Sequence, residues 1–362
     1  LSLQDQISER RKEIRTDGYA LSVGEWISLY ENGELDIHPE FQRFYRWSCS
    51  QKTALIESIL LGIPIPSIFV SQREDGIWDV VDGLQRLSTV FEFLGVLKDE
   101  KGKLLPPLVL EGTKYLPSLN GVTWEGENSL PSDAKLILKR SKLNVSILLR
   151  ESDTTTKYDL FQRLNTGGSQ ASDQEVRNCI LVMLRPDMYH WLRKLSDHAG
   201  FQETISISDR LIKESYDLEL ALRFIIFHSI DTDQLGSVGD VGVFLSEKMR
   251  EMATSKKVDL DAIGKNFDST FKLLSETLAD FSFKRWDERK DRFMGSFNIS
   301  QYEVVACGIG YNISQGRTPT DIESKVRGLW SNPEYTDWTG SGMTAARRLP
   351  RLVPLGRRVF SI

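Results

Sequence analysis

At 362 residues the chain is long enough for one large domain or two of ordinary size, and 40% hydrophobic with 27% charged residues is the make-up of a globular protein. A net charge of −5 argues against a protein that coats nucleic acid by bulk attraction and leaves room only for local basic patches. Cys49, Cys179 and Cys307 are odd in number and far apart, which suggests neither a disulfide framework nor a paired-cysteine metal knuckle and fits a reducing cytosol. No apolar run approaches a membrane span, and the polar first residues do not read as a signal peptide, so a cytoplasmic protein with no membrane partner is expected.

In chain order, Ser2 to Arg15 reads as a short solvated helix or arm, and Ser22-Val23-Gly24-Glu25-Trp26 opens a helix that Asn32-Gly33 closes. An extended piece, Ile37-His38-Pro39-Glu40-Phe41-Gln42-Arg43, follows. Ser48 with Gln51 forms a capping box for a helix that buries Leu55, Ile56, Ile59 and Leu60 and ends at Gly62. Ile63-Pro64-Ile65-Pro66 must be an extended link into a strand at 67–70, paired with a second at 77–81. Asp82-Gly83 then makes a turn, and Leu87, Val90, Phe91 and Leu94 recur at helical spacing beyond it. Residues 98–132 read as a long variable insertion that Trp124 pins down, and residues 143–149 as a further strand. Ser172 with Glu175 caps a helix running to Leu184, before Pro186. Beyond Pro186 the pattern is helical at 217–230, 244–252, 267–283 and 302–313, so the boundary is placed there, with one domain over 1–186 and a mainly α-helical one over 187–362. The fold class expected is α+β.

Chemistry concentrates in three segments: Gln42-Arg43, Asp82-Gly83-Leu84-Gln85-Arg86 with Ser88 and Thr89 behind it, and Arg163-Leu164-Asn165-Thr166-Gly167-Gly168. A helix start offers amide hydrogens and the positive end of a dipole, and arginine grips phosphate through two parallel charge-assisted bonds. Glycine lets the backbone approach an anion closely, and a carboxylate such as Asp82 suits phosphates where it holds Mg²⁺ or orients a water. The same residues also read as an ordinary strand-to-helix connection with a solvated arginine, and spacing alone does not choose. Arg347, Arg348, Arg351, Arg357 and Arg358, in a closing stretch without an acid, read either as contacts to nucleic-acid phosphates or as partners of acidic side chains in the helical domain.

His38-Pro39-Glu40-Phe41-Gln42-Arg43 and Trp47, then residues 56–66 and 81–89, and finally 161–168 with Glu175-Val176-Arg177-Asn178, occur in the order found in the N-terminal domain of GmrSD-type restriction proteins. The resemblance covers roughly residues 20–185. It implies a ParB/sulfiredoxin-like fold that binds and hydrolyses a nucleoside triphosphate with Mg²⁺ in anti-phage defence. On this resemblance Asp82, Gln85 and Arg86 are catalytic, with Asp82 the metal ligand. Gln42, Arg43, Gly83, Ser88, Thr89, Arg163, Asn165, Thr166, Gly167 and Gly168 surround the nucleotide. The chain would be a switch that engages DNA or a partner protein of the defence system. The family signature is Asp-Gly-Gln-Gln-Arg, and here Leu84 replaces the first glutamine. Many relatives carry a His-Me finger nuclease, whose catalytic histidine is followed shortly by proline. His190, His198 and His228 lack that pattern and His38-Pro39 belongs to the N-terminal block, so no such nuclease is expected. Two other readings are a nucleotide- or DNA-binding clamp without turnover, and a DNA nickase built on the ParB-like fold.

Overall fold

The computed structural model describes residues 2–5, 15–37, 47–99, 101–149, 172–255, 257–340 and 342–361. In the first unit, residues 1–170, capping boxes set two helix starts. Ser22 and Glu25 begin α1 (Val23–Glu31), and Ser48 and Gln51 begin α2 (Cys49–Leu60). Around them run β1 (Thr16–Ser22), β2 (Leu35–Asp36), β3 (Ile68–Gln72), β4 (Trp78–Asp82), α3 (Leu84–Phe93), α4 (Ser132–Arg140) and β5 (Lys142–Leu148). The five strands form one mixed sheet in the order β1-β5-β3-β4-β2. β1/β5 and β3/β4 are antiparallel, while β3/β5 and β2/β4 are parallel. Trp26, Ile56, Leu87, Val90, Phe91 and Phe93 of the helices pack with Val70, Val80, Val145 and Ile147 of the strands in one apolar core.

Residues 98–132 are less of an appendage than their Gly- and Pro-rich composition predicts. Leu108, Leu110, Leu119, Val122 and Leu130 are buried in the same core. The Glu111 amide donates to the Thr53 hydroxyl at 3.0 Å, and the Leu116 amide to the buried Glu57 carboxylate at 3.1 Å. Glu57 is thereby a clamp on this loop. Trp124 does pin it, edge-on to Phe93 at 5.8 Å with Lys135 and Lys139 over its ring.

The second unit, residues 171–362, is helical apart from a two-stranded hairpin of β6 (Arg285–Asp287) and β7 (Arg292–Met294) among its described residues. Four of its helices matter below: α5 (Asp173–Leu184), α6 (Tyr216–Phe227), α7 (Ile299–Ser314) and α8 (Ala345–Val359). α5, grouped by sequence with the first domain, packs in this unit, so the division falls before Pro186. Its buried Arg177 guanidinium donates to Glu219 at 2.6 Å and to the Gly242 carbonyl at 3.1 Å, both in the helical unit, and Ile180, Leu181 and Val182 are buried along the same helix. Where α7 and α8 cross, two glycines bring the backbones together. A Cβ added at Gly356 would stand 2.1 Å from the Val304 carbonyl oxygen, and one at Gly308 would stand 2.5 Å from the Gly356 carbonyl carbon. Among the described residues no helix is long and apolar enough to cross a membrane.

Gly356→Ala is expected to cost this unit about 2–3 kcal/mol, because backbone cannot yield as a side chain can. Chemical denaturation of the helical unit measures it. A second expectation concerns His228, which is 3% exposed, lies 2.9 Å through Nδ1 from the Phe224 carbonyl and stacks on the Phe224 ring. Burial depresses its pKa below the ordinary value, and the nearby Arg357 charge adds to the effect. Below a pH of about 6.5 the unfolded chain takes up a proton that the folded imidazole refuses. The stability His228 contributes is therefore present above that pH and lost as pH falls through the folded pKa. His228→Asn should flatten this part of a melting-temperature profile recorded between pH 7 and pH 5.

Candidate functional site

Asp82 ends β4, Gly83 turns the chain, and Leu84 begins α3. Only glycine serves in the middle. Its φ of 101° is left-handed, and an added Cβ would meet Ile68 Cδ1 at 2.4 Å. No side chain caps the helix behind it, so the amide hydrogens at the positive end of its dipole have no side-chain acceptor from the cap position. Arg86, one turn further on, reaches back: its Nη2 donates to Asp82 Oδ2 at 2.7 Å and to the Ser67 carbonyl at 3.3 Å. The arginine side chain is 13% exposed and the aspartate 34%, so the pair lies at the surface of the core with its acid end toward solvent. Arg86 Nε is buried without an acceptor.

The sequence reading has Arg86 free to stabilise a phosphoryl group and Asp82 free to hold a metal. The structure instead pairs the two, the natural outcome for opposite charges four residues apart across a tight turn. Gln85 ties the turn to the segment that follows the His38–Arg46 block, its side-chain oxygen accepting from the Trp47 amide at 3.3 Å. Ser88 and Thr89 are corrected as phosphate contacts. Both are buried within α3, and the Thr89 hydroxyl donates to the Gln85 carbonyl at 2.7 Å. Leu84 packs partly buried against the apolar core. Gln42, Arg43, Arg163, Asn165, Thr166, Gly167 and Gly168 lie outside the described residues. Sequence reasoning missed the Ser67 carbonyl and the Trp47 amide, and backbone groups leave no signal in a residue pattern.

The arginines of the closing segment separate into two kinds. Arg348 is buried and grips the fully buried Glu303 with two bonds, Nε to Oε2 at 2.6 Å and Nη2 to Oε1 at 2.9 Å. Arg357 donates through Nη2 to the Ile230 carbonyl at 2.6 Å and, more weakly, to those of Phe227 and His228, closing the C-terminal end of α6. Burial lowers the Arg357 pKa. Arg348 is taken up by its pair with Glu303, which corrects its reading as a nucleic-acid contact, whereas Arg357, half-buried, is anchored at the end of α6. Arg347, Arg351 and Arg358 are exposed. At 100° per residue they fall within about 40° of one another on one face of α8. Arg351 lies over the Trp338 ring and Arg358 pairs with Glu334.

No group of three or more histidines, cysteines, aspartates or glutamates that could hold a metal ion occurs among the described residues. His190 is exposed, and His198 accepts through Nδ1 from the Phe201 amide at 3.3 Å at a helix start. The three cysteines are free, and burial pushes the Cys307 thiol up.

A mixed five-stranded sheet carrying a strand–glycine–helix turn with an Asp–Arg pair defines an α+β domain. Residues 23–182 match the family model described as the GmrSD restriction endonuclease N-terminal domain. No significant match to the chain was found among curated proteins or solved structures.

The two kinds of arginine are separable by stability. Arg348→Ala strips one partner from a buried carboxylate and should cost about 3–5 kcal/mol. Arg351→Ala should stay within about 0.5 kcal/mol of the parent. Denaturant midpoints of the two variants measure the difference.

Proposed function

We propose that the first unit binds a nucleoside triphosphate with Mg²⁺ at the Asp82–Arg86 turn and hydrolyses it. On this reading the chain works in a bacterial restriction-type, anti-phage system as a switch that engages DNA or a partner protein. The observation that supports it most is the Asp82–Arg86 pair beside a left-handed helix start with no side-chain cap. An incoming polyphosphate presents Arg86 with a better anion than one carboxylate and takes the guanidinium over, leaving Asp82 beside the phosphates. Asp82 is a single, partly exposed carboxylate, and a Mg²⁺ site commonly has one or two protein carboxylates with the remaining positions filled by phosphate oxygens and water. That donor set fits a metal carried in with the nucleotide. When bound, the metal neutralises charge on the polyphosphate. Gln85, held at the first turn by Trp47, orients a water or a phosphate oxygen, and Arg86 stabilises the charge that grows on the transferred group. The aligned Arg347, Arg351 and Arg358 are the side chains offered to DNA phosphates.

One observation favours a clamp that binds without turnover. Leu84 stands where the motif has glutamine and packs toward the apolar core, so no amide is available there to hold water.

Phosphate release from ATP, GTP and CTP with Mg²⁺ tests the assignment. Arg86→Ala should lower the rate about 100-fold or more, the usual loss for a preorganised charge-stabilising donor. Leu84→Gln should raise it. An unchanged rate in Arg86→Ala removes the turn from the mechanism. Thermal stabilisation by a non-hydrolysable nucleotide, with no release from either the parent or Leu84→Gln, selects the clamp.

A further inference from the structure

A cavity of about 680 Å³ opens in the helical unit where the end of α6 meets α7 and α8, lined by Arg317, Arg357, Arg358, Tyr311, Ser229 and Asp231 among others. Its volume is that of an ordinary small-molecule site. Three guanidinium groups face one carboxylate there. Arg358 is neutralised by Glu334, whereas Arg317 and Arg357 form no ion pair among the described residues. Arg317 is held by Asn312, which accepts its Nη1 at 2.8 Å, and Asn312 is itself fixed by bonds to the Gly308 and Arg357 carbonyls. Arg357 is fixed more firmly: three carbonyls hold Nη2, the Tyr311 ring lies 4.3 Å from its guanidinium carbon, and its Nε is buried without an acceptor. The fold thus holds two cations in place without a direct ion pair, Asp231 being the carboxylate that shares the wall with them.

We propose that this cavity binds a phosphate-bearing anion, with Arg317 and Arg357 supplying the charge and Ser229 a hydroxyl. Arginine forks held in fixed orientation suit tetrahedral oxyanions, and the aromatic ring of Tyr311 beside them offers a surface for a base or sugar attached to the phosphate. The group could arrive on a free nucleotide or at the end of a nucleic-acid strand, and the chemistry recognised is the same. The site lies in the second unit and does not depend on the Asp82–Arg86 turn.

The test uses the full chain with inorganic phosphate as the first probe, read by calorimetry and by the melting temperature of the helical unit. Phosphate should bind saturably, and Arg317→Ala, an exposed position, should weaken it at least fivefold while Arg86→Ala leaves it intact. ATP and a 5′-phosphorylated single-stranded oligonucleotide are then added as competitors. Displacement of phosphate by ATP assigns the site to a nucleotide, displacement by the oligonucleotide assigns it to a strand end, and each supports the cavity. Saturable binding unchanged in Arg317→Ala, binding lost only in Arg86→Ala, or no saturable binding at all overturns it. Retained phosphate binding in an Arg86→Ala protein that has lost nucleotide turnover separates this site from the turn.

Discussion

Glu303 organises the helical unit. It is fully buried on α7 and accepts from Arg348 of α8 with both oxygens and from Arg223 of α6 at 3.1 Å. Arg223 in turn binds Glu219, which binds Arg177 of α5. One chain of five charges, buried except for the partly exposed Glu219, therefore stitches four helices. Each member is tolerable away from water only because the next one is present. The same network decides which groups are left for function. It removes Arg348 from the surface and carries α5 into the helical unit, although the family match runs on to residue 182.

In the first unit the corresponding constraint is Gly83. A left-handed residue pressed against Ile68 places Asp82 and the first turn of α3 side by side, and the Asp82–Arg86 bond follows from that placement. Such a pair is electrically quiet, each charge answering the other. The turn can therefore sit at the edge of an apolar core without an unpaired charge.

Much of the fold was legible in the residues. Three capping boxes, Ser22/Glu25, Ser48/Gln51 and Ser172/Glu175, start helices where expected, since the cap is a local bond between residues three apart. The β3–β4 pair and β5 were legible as well. Others were not, and two of them show why. β1 is an exposed edge strand whose residues Thr16 to Tyr19 carry no buried alternation, and it exists because β5 offers it a partner. α8 contains Pro350, Pro354 and Gly356, all poor helix residues, yet Leu349, Leu352, Val353 and Leu355 are buried along it, and packing outweighs propensity.

Sequence by itself determined the α+β class, the helix starts, the glycine turn and the likeness of residues 23–182 to a known family model, because each is written in residues close together or in motifs in fixed order. Tertiary structure alone decided which charges are free. Arg347 and Arg348 are neighbours in the chain, but one is exposed and the other is locked to Glu303, 45 residues away. A charge is neutralised by whatever the fold brings within about 3 Å, and that distance is set by packing between helices rather than by order along the chain.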